Sequence, residues 1–126
     1  MTLYSQISSN KRKSFFLLLA VIAFVLGVVA LYSYYAYQDF SLVVLAAILA
    51  IPSSLIGYYT GDKIALAANR AQSVSKEQSP ELHRIVENLS ITAGIPSPHI
   101  YIINSTALNA FATGRDPKHA SIAVTT

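Results

Sequence analysis

The chain has 126 residues, 53% of them hydrophobic and 12% charged, about half the charged fraction of a soluble domain, which leaves room for a membrane anchor and one partial domain. Its formal charge is +3, and the basic residues Lys11, Arg12 and Lys13 sit together; that excess fits an anionic lipid surface and gives no ground for nucleic-acid binding. Cysteine is absent, which excludes a disulfide framework and a thiolate metal site.

Residues 1–13 read as a basic segment. No charge occurs from Ser14 to Gln38, and after Asp39 none occurs from Phe40 to Gly61. A helix needs about 20 apolar residues to cross the bilayer core, and both runs are long enough. A globular helix of this length carries a polar face, whereas Phe15 to Leu31 has none. Two transmembrane helices are expected, at about 14–37 and 40–61. A cleaved signal peptide is the competing reading of the first. The run exceeds the usual h-region of about 7–15 residues, and Tyr32, Tyr34 and Tyr35 crowd the place where small residues would be cut.

Lysine and arginine set the orientation. Lys11, Arg12 and Lys13 precede the first span, Lys63, Arg70 and Lys76 follow the second, and the link at Gln38-Asp39 has neither. Both termini are therefore expected in the cytoplasm. Tyr32, Tyr34, Tyr35 and Tyr37 suit an outer aromatic belt, and Tyr58 and Tyr59 an inner one. Pro52-Ser53-Ser54 predicts a kink whose serines satisfy freed carbonyls.

Residues 62–79 read as a connector. Ile64 to Ala68 extends the helix, and Gln72-Ser73-Val74 offers a short strand. Ser79-Pro80-Glu81 is a helix start, with a capping serine, a proline at the first position and an acid in the first turn. Leu82, Ile85, Val86 and Leu89 then form one apolar stripe, predicting a helix over 80–93. Gly94 caps it and Pro96 stops it. Burying that stripe contributes roughly 1.5–3 kcal/mol per side chain and calls for a partner surface. Residues 98–103, Pro98 to Ile103, read as a strand, central and buried because it is almost continuously apolar. A hairpin follows over 109–125, with Asn109 to Thr113 as a small, flat first strand, Gly114-Arg115-Asp116-Pro117 as the turn, and Ala120 to Thr125 as the second strand. The first strand is suited to pair its free edge with an extended peptide. Residues 80–126 thus form an α+β piece with one main helix and about three strands.

His83, His99 and His119 are the only histidines. They lack the spacing of a zinc site, which needs three or four converging ligands, and His83 stands four residues before Glu87, a spacing for a surface ion pair. No G-x-S-x-G, Walker loop, G-x-G-x-x-G or C-x-x-C occurs. Motifs within the chain propose no enzyme.

A resemblance adds to this reading. Tyr4-Ser5-Gln6-Ile7, Asn10 to Lys13, the two spans, Gly61-Asp62-Lys63-Ile64, Val74 to Glu77, Pro80-Glu81-Leu82-His83, Val86 to Leu89, Ala93-Gly94-Ile95-Pro96, Ile100 to Ile103 and above all Asn109 to Thr126 resemble, in order, the HtpX-type membrane zinc metalloproteases. The resemblance covers essentially the whole chain, as an amino-terminal portion that stops before the H-E-x-x-H helix. It implies a gluzincin-like cytoplasmic domain, here incomplete, behind a two-helix transmembrane hairpin. It implies a multi-pass enzyme of the inner membrane for quality control of membrane proteins, with zinc as cofactor of the full-length protein. The zinc would be held by two histidines and a downstream glutamate, none of them in this chain, so no zinc and no peptidase activity are expected of these residues alone. It further implies that Asn109, Ala110, Phe111 and Ala112 bind substrate, the strand backbone pairing with the substrate main chain and the asparagine side chain adding a hydrogen bond. Implied partners are the lipid bilayer, unfolded or membrane-protein substrates and, as one arrangement, a homo-oligomer. The alternative is a non-enzymatic, membrane-anchored module that binds extended segments at an edge strand.

Overall fold

An uncharged run with no polar face has little to gain from a globular partner, and the two uncharged runs are helical from Ser14 to Tyr37 and from Ser41 to Gly61. In the computed structural model, which describes residues 3–126, α1 spans Leu3–Tyr37 and α2 spans Ser41–Ala68. At 1.5 Å per residue, the 35 residues of α1 extend for about 52 Å. That exceeds the bilayer core of about 30 Å, because the helix begins well before the apolar run and carries Lys11, Arg12 and Lys13. Helix α2 runs unbroken through Pro52. The proline leaves the Ile48 carbonyl without its helical donor, whereas the Ser53 hydroxyl donates to Leu49 O; the expected rescue of the freed carbonyl is therefore not made by Ser53.

The chain divides into two units, Met1–Tyr59 and Thr60–Thr126. In the first, both helices expose their apolar side chains, as lipid-facing helices do, and no residue of the most apolar 18-residue stretch of either helix is buried. The link between them is short. Gln38 takes a left-handed φ of 52°, Tyr34 stacks on Phe40 with ring centroids 6.0 Å apart, and the buried Ser33 hydroxyl donates to the Asp39 carbonyl. The Asp39 carboxylate accepts from the N–H groups of Phe40 at 2.6 Å and Ser41 at 3.2 Å, covering the start of α2. Hydrogen bonds from the Ser41 side chain and the Phe40 N–H hold this carboxyl below its usual range.

In the second unit, β1 (Gln72–Ser73), α3 (Pro80–Ala93), β2 (His99–Ile103), β3 (Ala110–Thr113) and β4 (Ser121–Thr125) follow the end of α2. The strands form one mixed sheet in the order β1-β2-β4-β3. β1 pairs antiparallel with β2, β2 parallel with β4, and β3 antiparallel with β4. Residues 80–126 supply three strands, as expected, and the fourth is the short strand offered at Gln72-Ser73-Val74. That strand, β1, has two polar residues and is carried by its ladder with β2 and by Val74 N–H on Ile100 O at 3.2 Å. β2 is central, as its apolar character predicts, but it is not buried along its length: Ile100 is buried, Tyr101, Ile102 and Ile103 are half-buried and His99 is exposed, because the slight core covers little of the sheet.

Helix α3 ends as expected. Gly94 takes φ 66° and ψ 33°, its N–H bonds Ile91 O, and Ile95 N–H bonds Ser90 O. Its start differs, since Ser79 makes no side-chain cap and the Nδ1 of His83 lies 3.0 Å from Ser79 O. Its packing face differs too. Of the stripe Leu82, Ile85, Val86 and Leu89, Val86 is buried and Leu82 half-buried, while Ile85 is 50% and Leu89 64% exposed. The buried face turns toward His83, Val86 and Ser90. Ser90 can be buried because its hydroxyl donates to Val86 O at 2.8 Å, which removes the cost of an unpaired polar group. The buried residues of this unit are Leu66, Val86, Ser90, Ile100, Ser121 and Ala123, four of them apolar, and the core is correspondingly slight.

Candidate functional site

The chemistry of a sheet edge lies in its backbone, so parity decides what β3 can do. The register pairs Ala110 with Val124, Phe111 with Ala123, Ala112 with Ile122 and Thr113 with Ser121. One residue earlier, Thr125 N–H donates to Asn109 O at 3.0 Å. The groups of an antiparallel strand alternate in direction. Asn109, Phe111 and Thr113 therefore turn their N–H and C=O toward β4, and Ala110 and Ala112 turn theirs to the free edge. These two alanines are exposed while Phe111 and Thr113 are half-buried. Phe111 thus seats the strand, and the methyl side chains beside the outward backbone leave room for another chain.

Asn109 precedes β3 and is clamped by Thr125. The Asn109 N–H donates to Thr125 Oγ1 at 2.8 Å, and that hydroxyl donates back to Asn109 O at 3.0 Å. Its side chain turns along the edge, where Asn109 Oδ1 accepts the N–H of Ala110 at 2.9 Å. The other three residues of the candidate edge, Ala110, Phe111 and Ala112, lie in β3. Thr125 carries no signal in the sequence for its clamp, because its role depends on a register that only the folded hairpin reveals.

The turn that returns the chain is ordered by Asp116. Its Oδ1 accepts from Lys118 N–H and His119 N–H, both at 3.0 Å, and lies 2.7 Å from His119 Nδ1. These bonds hold the 3-10 turn Pro117–His119. Gly114 has φ 138°, in the region that favours glycine.

Among the described residues no group of three or more His, Asp or Glu side chains converges, so the residues present do not fit a zinc ion. His119 is engaged with Asp116. Glu87 accepts from Lys76 at 3.1 Å; the expected His83–Glu87 pair gives way to this contact.

Residues 76–126 match the family model Peptidase family M48. A Protease HtpX homolog of Trichormus variabilis is 46% identical over 107 residues, 85% of this chain and 37% of that protein. One of Thermoanaerobacter pseudethanolicus is 41% identical over 129 residues, 99% of this chain and 42% of that protein. The chain is HtpX-like. It spans about two fifths of the length of the curated relatives it matches. Among solved structures, the crystal structure of S. mikatae Ste24p is similar at a TM-score of 0.46 and 18% identity, over 93% of this chain and 27% of that one. The M48 match takes in α3 and β2–β4 of the HtpX-like chain, and so contains the Asn109–Ala112 edge and the Asp116 turn.

Proposed function

We propose that this HtpX-like chain is the membrane-anchoring and substrate-edge part of a zinc metalloendopeptidase of the inner membrane, acting in quality control of membrane proteins. In this reading α1 and α2 form the transmembrane hairpin, and the sheet unit belongs to a gluzincin-like domain in the cytoplasm. The free edge of β3 receives the main chain of a polypeptide substrate. The zinc is assigned to no residue described here, and the contribution derived for this chain is binding and alignment.

The observation that carries the reading is the edge itself. β3 is the outer strand, and Ala110 and Ala112 present outward N–H and C=O groups beside methyl side chains. Main-chain pairing of this kind tolerates almost any sequence, as an enzyme that removes damaged proteins requires. The test is a titration of the 15N-alanine-labelled chain, in detergent micelles, with an uncharged extended peptide of alternating valine and threonine. The amides of Ala110 and Ala112 should shift saturably, and that of Ala123, which faces β3 from within the sheet, should not. Shifts spread evenly over all alanines, or none at millimolar peptide, would reject the edge as a binding site.

Orientation is tested separately. Basic residues flank the far ends of α1 and α2 and are missing from Gln38 to Phe40, which favours cytoplasmic termini. A cysteine placed at Ser79 should react with an impermeant maleimide only after the cells are opened, and one placed at Asp39 should react in intact cells. The reverse pattern would overturn the topology.

A further inference from the structure

The two outward donors of β3 are not equivalent. The N–H of Ala110 is held by Asn109 Oδ1 at 2.9 Å. Ala112 follows Phe111, whose side chain has no acceptor to offer. The Asn109 backbone cannot shift to follow its side chain, since Thr125 fixes both its N–H and its carbonyl. The side chain, by contrast, is exposed to solvent. A fixed anchor thus carries a solvated acceptor that closes one of the two donors.

We propose that Asn109 is a displaceable cap on the peptide-accepting edge: its side-chain carbonyl holds the N–H of Ala110, and an added strand must take that donor from it. The inference rests on the substrate-edge reading and deepens it. An antiparallel partner bonds both N–H and C=O of each outward residue. With the cap closed, only Ala112 offers a complete pair, and a peptide docks there alone. With the cap displaced, Ala110 joins and the register extends toward Asn109. The ligand class is therefore an extended polypeptide long enough to span both alanines. The cap also gives the free edge some protection from unwanted pairing. Exposed edges are templates for aggregation unless something blunts them, and side chains as small as those of Ala110 and Ala112 block nothing.

This role is opposite in sign to an asparagine that only donates to substrate, and substitutions separate the two. Asn109→Ala removes the competing acceptor and should tighten binding of the valine–threonine peptide by about two- to tenfold, the range for one exchanged hydrogen bond. Asn109→Asp keeps an acceptor and loses the amide donors, so its affinity should not exceed that of the wild type. Hydrogen exchange on the free chain, corrected for intrinsic rates, reads the cap without any peptide. Ala110 should exchange more slowly than Ala112 in the wild type and in Asn109→Asp, and at the same rate as Ala112 in Asn109→Ala. Equal rates for Ala110 and Ala112 in the wild type, or weaker binding by Asn109→Ala with the sheet intact, would overturn the cap. Failure of all three chains to bind peptide while Ala110 stays protected would overturn the substrate edge, and the displacement step with it.

Discussion

Replacing Ala112 with proline is expected to weaken peptide capture by about tenfold or more while leaving the sheet folded. Proline has no N–H, and its ring occupies the space in front of the nitrogen. At position 112 that space is the free edge, because Asn109 O is bonded to Thr125 and parity sends the Ala112 N–H outward. Proline is tolerated in strands where its nitrogen faces solvent from an edge, and the restriction it places on Phe111 is already met by extended backbone. A peptide laid against the edge would lose one hydrogen bond and have one carbonyl left unpaired. The second cost is about 1–3 kcal/mol, enough to weaken binding by about tenfold or more. Phe111→Pro is the internal control. By the same alternation its N–H points at Ala123 of β4, so this proline should strand a buried carbonyl and unfold the hairpin. Circular dichroism and the alanine amide spectrum report folding, and peptide titration reports binding. Wild-type affinity in a folded Ala112→Pro chain would mean that the edge does not carry binding.

The helices, the hairpin and the edge run were legible because their signals are local. An uncharged stretch, a glycine after an apolar run and a Gly-Arg-Asp-Pro turn each act on neighbouring residues. The order β1-β2-β4-β3 was not legible, since the parallel pairing of β2 with β4 joins residues about 20 apart and leaves no periodic trace. The same limit applied to the site. Asn109 to Ala112 could be named from the sequence, but not which backbone groups face out. That depends on the Asn109–Thr125 register, and one residue of slip would turn Phe111 outward in place of the alanines. In α3 the hydrophobic stripe pointed to Ile85 and Leu89, both of which are exposed. A serine that bonds its own helix can occupy a buried position, and hydrophobicity alone does not distinguish Ser90 from a solvent-facing serine. The short strand offered at Gln72-Ser73-Val74 is present as β1 (Gln72–Ser73), and pairing with β2, rather than burial, defines it.

Gly114→Ala is expected to disorder β3 and β4 together and thereby remove the edge. Gly114 has φ 138°, and a residue with a side chain forced into such sparsely populated conformations costs about 1–3 kcal/mol. Sterics add to this. A Cβ at position 114 would lie 2.8 Å from Ala120 Cα and press on the backbone carbonyl of His119. Both obstacles are backbone, held by the Asp116 bonds to Lys118 and His119, so no flexible side chain can yield. With an apolar core confined to Leu66, Val86, Ile100 and Ala123, this unit has little stability to spare. The amide of Ala123, which is 0% exposed, is the natural reporter: its hydrogen exchange should accelerate by about tenfold or more, a factor that 1.4 kcal/mol already produces. Asp116→Ala, which removes a turn cap worth about 0.5–2 kcal/mol, should give a smaller acceleration. Lys118→Ala, whose side chain is exposed and whose backbone N–H is kept, should give almost none. If Ala123 exchanges equally slowly in Gly114→Ala and the wild type, the turn tolerates a side chain, and β3 is positioned by its ladder with β4 rather than by the glycine.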